Sequence, residues 1–306
     1  MTILKTKLSF ILVLFITTTP LLALQTKALI DALGEPFPLT SPPQRIISLA
    51  PNITEIIFAL DLGPKIVAVT RYCDYPPPAQ AKEKIGGMID PNLEKIKSLN
   101  PDLIIGFRGN PLRTLKRIKS LNLPLFVLEM GKDLESVFLI IKKIGTITHK
   151  EQKAASLLQA MKDKYKNIQQ KLKPVDRWPK VFFSLHGLGL WTCGRDSFLD
   201  VILEKAKGVN IAGHINRKWL IFNREQLIHE NPDIIIIISK SQQQFLQSKE
   251  WIIKEKSFQS VTAVATDRIY FLDENIATRP GPRLIDALGK LARLLHPQCF
   301  KDKQAK

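Results

Sequence analysis

Along the chain, hydrophobic positions gather into two series of short, nearly unbroken apolar runs separated by segments of helical period. The first series is RIISLA (45–50), KIVAVT (65–70), DLIIGF (102–107) and PLFVLE (124–129), and the second is KVFFSL (180–185), DIIIIIS (233–239) and RIYFLD (268–273). Strands that are apolar on both faces and alternate with helices belong to parallel sheets covered on both sides. The pattern therefore predicts an α/β protein of two Rossmann-like lobes, at 24–147 and 175–306. Between them THKEQKAASLLQAMKDKYKNIQQKLKP (148–174) places Ala155, Leu158, Met161, Tyr165 and Ile168 at helical spacing, contains no glycine and ends at Pro174. That is one long connecting helix, a strut that resists bending where a flexible linker would not.

The two halves also repeat each other. NLEKIKSLNPDLIIGF (92–107) and NREQLIHENPDIIIII (223–238) align without gaps and agree at seven of sixteen places. Each unit reads as an asparagine N-cap, a glutamate in the first turn, a short helix closed by Asn-Pro, then a strand. Glu94 and Glu225 occupy equivalent positions. One glutamate there would only favour the positive end of a helix dipole, for a few tenths to about 1 kcal/mol. A matched pair on two stiff lobes sets like charges at a fixed span, which suits docking onto a two-fold partner.

The first residues change the picture of where the protein works. Lys5 and Lys7 precede an apolar core from Leu8 to Ile16, followed by Thr-Thr-Thr-Pro and small residues near Ala23. This is the layout of a secretory signal peptide over 1–23, too short for a comfortable membrane span. No cysteine lies near the expected cleavage point to accept a lipid, so an exported, periplasmic, monomeric protein is expected. Cys73, Cys193 and Cys299 permit at most one disulfide and form no C-x-x-C pair. The formal charge of +17 resides largely in lysines on helix faces such as MKDKYKNIQQKLK. Solvated faces are the ordinary reading, and an exported chain is a poor candidate for nucleic acid.

Candidate chemistry begins at RYCDYPPPA (71–79), directly after an apolar run. Three prolines cannot continue a sheet or enter a helix, so the loop is stiff. It either presents Tyr72, Asp74 and Tyr75 as a binding platform or tucks its tyrosines into the core. Enzymatic signatures are absent: there is no G-x-S-x-G elbow, Walker loop or G-x-G-x-x-G, and the five histidines fall in no metal-ligand spacing. Neither a catalytic nor a metal site is expected, nor any covalent cofactor. His186, in HGLGLWTCG after a strand, and Cys193 are the residues an exported enzyme would use.

The stretch RIISLAPNITEIIFALDLGPKIVAVTRYCDYPPPA (45–79), with NLEKIKSLNPDLIIGFRGN and NREQLIHENPDIIII, resembles the periplasmic substrate-binding proteins of vitamin B12 and iron-siderophore ABC importers. The likeness covers 43–296, and the DYPP loop with the FRGN strand end is most similar to the cobalamin-binding branch. It implies two α/β lobes joined by one rigid helix (the class III periplasmic binding protein type), a small-molecule ligand in the cleft, and an inner-membrane ABC permease as partner. By that resemblance Tyr72 stacks on the ligand, and Arg108, Gly109 and Asn110 border the cleft. Trp219 faces it from the second lobe, Arg279 makes a polar contact, and Glu94 and Glu225 pair with permease arginines. The start of the first helix, with Ser48, Pro51, Asn52 and Thr54, offers backbone N–H groups to a polar ligand edge. Met88, Phe107, Leu185 and Ile276 stand where that branch has further aromatic residues, keeping the wall apolar with a changed shape. Cobalamin is the expected ligand, and haem or a ferric siderophore is the alternative.

Overall fold

The structure is a computed structural model that describes residues 28–38, 41–185, 189–195 and 197–300. The leader expected over 1–23 and His186 lie outside the described residues. The chain opens with an antiparallel hairpin, β1 (Ala28–Ile30) and β2 (Pro36–Pro38). Asp31 fastens it to the first lobe by accepting from the backbone of Leu33 at 2.8 Å and of Glu35 at 3.0 Å and by an ion pair with Lys119 at 2.8 Å.

The first lobe follows as β3 (Ile46–Ser48), α1 (Pro51–Ala59), β4 (Ile66–Val69), β5 (Glu83–Lys84), α2 (Leu93–Ser98), β6 (Leu103–Phe107), α3 (Leu112–Ser120), β7 (Leu125–Leu128) and α4 (Leu134–Ile147). Its five strands are all parallel, in the order β5-β4-β3-β6-β7. After α5 (Glu151–Leu172), the second lobe comprises β8 (Lys180–Leu185), β9 (Trp191–Cys193), α6 (Phe198–Lys205), β10 (Val209–Asn210), β11 (Trp219–Ile221), α7 (Arg224–Glu230), β12 (Ile234–Ser239), α8 (Gln242–Lys254), α9 (Thr262–Ala265), β13 (Ile269–Asp273), α10 (Glu274–Ala277) and α11 (Leu284–Leu295). Four of these strands form a parallel sheet in the order β10-β8-β12-β13, while β9 and β11 pair apart as an antiparallel ribbon.

Both sheets are buried on both faces, as unbroken apolar runs require. In β12, Ile234, Ile236 and Ile238 face one core while Ile235 and Ile237 face another, the period of two expected of a strand. The larger core does not stop at a lobe boundary. It runs from Ile46 and Phe126 of the first lobe through Ala154, Met161, Ile168 and Leu172 of α5 to Phe183 and Ile236 of the second. The lobes therefore share apolar packing along the connecting helix, which resists their separation.

That helix departs from the sequence expectation at its start. Thr148 folds its hydroxyl back onto the Ile144 carbonyl at 2.6 Å, and His149 turns to φ 53°, so α4 ends there and α5 begins at Glu151. Its 22 residues span about 33 Å. Of the expected inner face, Met161 and Ile168 are buried and Leu158 and Tyr165 pack against the core, whereas at its first position Ala154 takes the core place and Ala155 is exposed.

The repeat is a repeat of structure. Asn92 and Asn223 both cap their helices through their side chains, accepting from Lys95 N at 3.0 Å and Gln226 N at 2.6 Å. Asn100 and Asn231 both adopt φ 45°, the left-handed turn that asparagine tolerates before proline. Asp102 then accepts from the backbone of Gln44 and Arg45, and Asp233 from that of Lys180, each carboxylate fixing the start of the central strand beside it. Even the basic side chains match, since Arg45 donates to the Leu99 carbonyl and Lys180 to that of Glu230.

Candidate functional site

Because each main sheet is parallel, the loops at its strands' carboxyl ends collect on one side, where ligands of open α/β sheets bind. In this molecule the loop sides of the two lobes meet. Arg279, beyond β13, reaches Asp74, beyond β4, at 2.6 Å, and the Asn52 amide at the head of α1 donates to the Pro280 carbonyl at 3.4 Å. The space between the lobes is thus bounded by strand-end loops from both.

The 71–79 loop is the most heavily braced of these. Lys84 donates to the carbonyls of Cys73 at 3.1 Å and Ala79 at 3.0 Å, Gln80 to that of Asp74 at 3.1 Å, and Thr54 and Thr70 pack their hydroxyls on the buried Cys73 sulfur. Neither tyrosine enters the core. Tyr75 lies beneath the Arg283 guanidinium, 3.7 Å from its ring centroid, and the Tyr72 side chain is left 49% exposed. The loop has the form of a platform.

On the second lobe, the β9–β11 ribbon follows β8 in the chain order, and β11 leads directly into the head of α7. Trp191 is 47% exposed and Trp219 48%, and Ile221, in register with Trp191, is also exposed. Folded proteins place large apolar side chains on the surface singly without consequence, but a cluster of them on a strand-end ribbon marks a binding surface. Trp191 escaped notice in the sequence because its short strand, WTC, follows glycines and pairs with a distant partner.

On the first lobe, β6 ends at Phe107, half-buried, whose ring lies so close to Gly109 that any Cβ there would collide with it. Gly109 thus lets the aromatic fold over its own strand end. Arg108 is exposed and donates to the Ala32 carbonyl of the hairpin at 3.3 Å, while Met88 is half-buried against the core.

Several residues expected at the ligand are engaged otherwise. The Asn110 side chain is buried, receiving from Phe107 N at 3.0 Å and donating to the carbonyls of Leu49 at 3.2 Å and Met88 at 2.9 Å, so it shapes the strand-end turn from within. Arg279 is held by Asp74 and Glu55 and donates to the Tyr72 carbonyl at 3.4 Å, leaving it a link between lobes. The head of α1 is covered: Asn52 is buried against Pro280 and Gly281, and Ser48 and Thr54 hydrogen-bond to each other at 2.8 Å without exposure. Ile276 belongs to the core, and Leu185 is partly buried against it.

Burial pushes the Cys193 thiol up to about 12 and raises that of Cys73 as well, and all three cysteines are free. Among the described residues no cluster of His, Cys, Asp or Glu can hold a metal ion, and no helix is long and apolar enough to cross a membrane. Glu94 and Glu225, each in the first turn of its capped helix, are both exposed. Since α2 and α7 each precede a parallel strand, both glutamates lie on the loop side of their sheets.

The periplasmic binding protein family matches residues 46–276. An uncharacterized ABC transporter substrate-binding lipoprotein of Bacillus subtilis, YvrC, is 30% identical over 278 residues, 89% of this chain and 86% of that protein. A vitamin B12-binding protein of Pectobacterium atrosepticum is 30% identical over 258 residues, 83% of this chain and 88% of its own length. Among solved structures, the periplasmic heme-binding protein RhuT from Roseiflexus sp. RS-1 in apo form superposes with a TM-score of 0.76 at 26% identity, covering 84% of this chain and 99% of that one. Two α/β lobes on one helix, facing each other through their loop sides, agree with these likenesses: the chain belongs to the periplasmic binding protein family, the non-enzymatic substrate-binding proteins of ABC importers.

Proposed function

We propose that this protein is exported by its leader, captures a corrinoid of the cobalamin type between its lobes, and delivers it to an inner-membrane permease that docks on Glu94 and Glu225. The observation that carries the ligand class is the exposure of Tyr72, Trp191 and Trp219 on the loop side of the two lobes. A large planar ligand buries such faces well, because rings stack on rings and each aromatic contributes a large apolar area. A corrinoid brings its own metal ligands and asks the protein only for walls and a few hydrogen bonds. In this reading Arg108, exposed at the end of β6, would meet its amide or phosphate groups. The vitamin B12-binding relative supports this reading.

Haem is the second reading, favoured by the heme-binding structural relative and by the exposed phenol of Tyr72 and thioether of Met130, both chemically fit to ligate iron. Calorimetric titration with cyanocobalamin, haem and a ferric siderophore separates them. One-to-one binding of cyanocobalamin alone is expected. Heat from haem or siderophore with none from cyanocobalamin would move the ligand and leave the binding-protein role in place.

A further inference from the structure

We propose that Glu55, Asp74, Arg279 and Arg283 form a charged clamp across the floor of the cleft, which fixes the angle between the lobes and positions the Tyr72 loop before any ligand arrives. The proposal rests on the reading that the space between the lobes is the binding site. Both acids belong to the first lobe and both arginines to the second, so every ion pair in the cluster crosses the divide. The Glu55 side chain, on α1, is only 3% exposed and accepts from Arg283 through Nε at 2.9 Å and Nη2 at 2.5 Å, a two-pronged pairing, and from Arg279 Nη1 at 3.3 Å. The same Arg279 nitrogen donates to Asp74 at 2.6 Å, and its other arm reaches the Tyr72 carbonyl at 3.4 Å.

Two negative and two positive charges balance within the cluster. Balance matters because a carboxylate as dry as that of Glu55 is stable only while paired, and parting the lobes would strip it of both arginines. The arginines are stiffly mounted: they flank Pro280, Gly281 and Pro282, and Arg283 is the residue that opens α11, a helix packed against α5. Glu55 in turn sits on α1, which packs on α4. The clamp therefore ties the helices at the back of the cleft to one another and, through Arg279, to the backbone that carries Tyr72. Arg279 and Arg283 are positioning residues in this account, since they act on the ligand through Tyr72 and the lobe angle. Arg283 adds a second hold on the loop by lying over the Tyr75 ring.

The test uses the ligand-free mature protein, so its outcome does not depend on which ligand is bound. Amide hydrogen exchange is measured in residues 71–80, with β6 and β12 as internal references, and small-angle scattering reports the lobe angle. Glu55→Gln is expected to speed exchange in 71–80 about tenfold or more while β6 and β12 hold their protection, with an increased radius of gyration. Asp74→Asn, an exposed change that spares the fold, is expected to speed exchange in the same loop without the change in radius. The exchanged pair Glu55→Arg with Arg283→Glu restores part of the protection, which a merely structural role for either residue would not do. Unchanged exchange in 71–80 for both Glu55→Gln and Asp74→Asn would overturn the proposal. If Glu55→Gln unfolds the whole chain, the Asp74→Asn result alone decides whether the loop is held by the clamp.

Discussion

Truncating Trp219 tests the cleft surface most directly. Its side chain is 48% exposed, and an indole of the largest aromatic size buries up to about 250 Å², so roughly 120 Å² of apolar face is free for a ligand to cover. At about 25 cal/mol per Å² this is ~3 kcal/mol, or on the order of a hundredfold in Kd. Trp219→Ala should therefore weaken cyanocobalamin binding by about two decades and also cost up to ~3 kcal/mol of stability, since the roughly 130 Å² of ring already covered by protein is removed as well. Trp191→Ala should behave alike. Trp178, exposed near the edge strand β10, serves as the control, since Trp178→Ala removes a comparable ring far from the strand-end loops. The assay is calorimetric titration of each variant, with tryptophan quenching as a second readout. Trp219→Ala within threefold of the parent, alongside an unaffected Trp178→Ala, would refute the assignment of the ribbon to the binding surface.

Reversing both glutamates, Glu94→Lys with Glu225→Lys, should abolish uptake in a permease-coupled transport assay while ligand affinity stays within twofold, because both side chains are exposed on capped first turns and neither is among the aromatic side chains proposed to meet the ligand. Thiol titration with DTNB should label one cysteine in the native protein, Cys299, and all three in denaturant, since burial raises the thiols of Cys73 and Cys193 and shields them. Acid should destabilise the fold in two stages, read by thermal melts across pH. Burial holds His296 below its ordinary range, so the unfolded chain takes up that proton first and stability declines as pH falls through about 6.5. Burial pushes Asp31 and Asp74 up, but Lys119 and Arg279 outweigh it and hold both below the usual carboxylate range, so their stabilisation is complete above about 4 and is lost as pH falls further. A flat melting temperature from pH 7 to 3 would contradict both stages.

The lobes were legible because buried parallel strands announce themselves as apolar runs, and the repeat because Asn, Asn-Pro and Asp each have a fixed task at a helix start, a helix end and a strand start. What stayed hidden was three-dimensional pairing. Asn110 follows a strand end in a loop-like FRGN and reads as a polar ligand contact, yet its amide is used three times within its own lobe. Arg279 likewise reads as a free cation beside prolines, because its partners Glu55 and Asp74 lie more than two hundred residues away in sequence. Ile276 sits between polar residues in DENIATR and carries no signal of the core it joins. Trp191 was missed for the opposite reason. A three-residue strand is too short to show alternation, and only its pairing with 219–221 turns its ring outward.

The repeat and the shared core together bear on how the ligand is released. A carboxylate at the head of α2 and its counterpart at the head of α7 lie on lobes that share one apolar cluster and one helix of about 33 Å. A partner gripping both glutamates therefore pulls on a body that does not hinge freely. Closing motions of the wide, flexible-linker kind would require that shared core to come apart, at about 25 cal/mol for each Å² exposed. Small changes of lobe angle need far less, and among the described residues they act where Glu55 and Asp74 meet Arg279 and Arg283. Force applied at the outer glutamates is opposed at the cleft floor by Glu55 with its two arginines, and the same arginine that yields there holds the backbone of Tyr72. If the permease docks on Glu94 and Glu225 as proposed, prying the lobes apart would loosen the Tyr72 platform in the same movement and would couple docking to ligand release without any large conformational change.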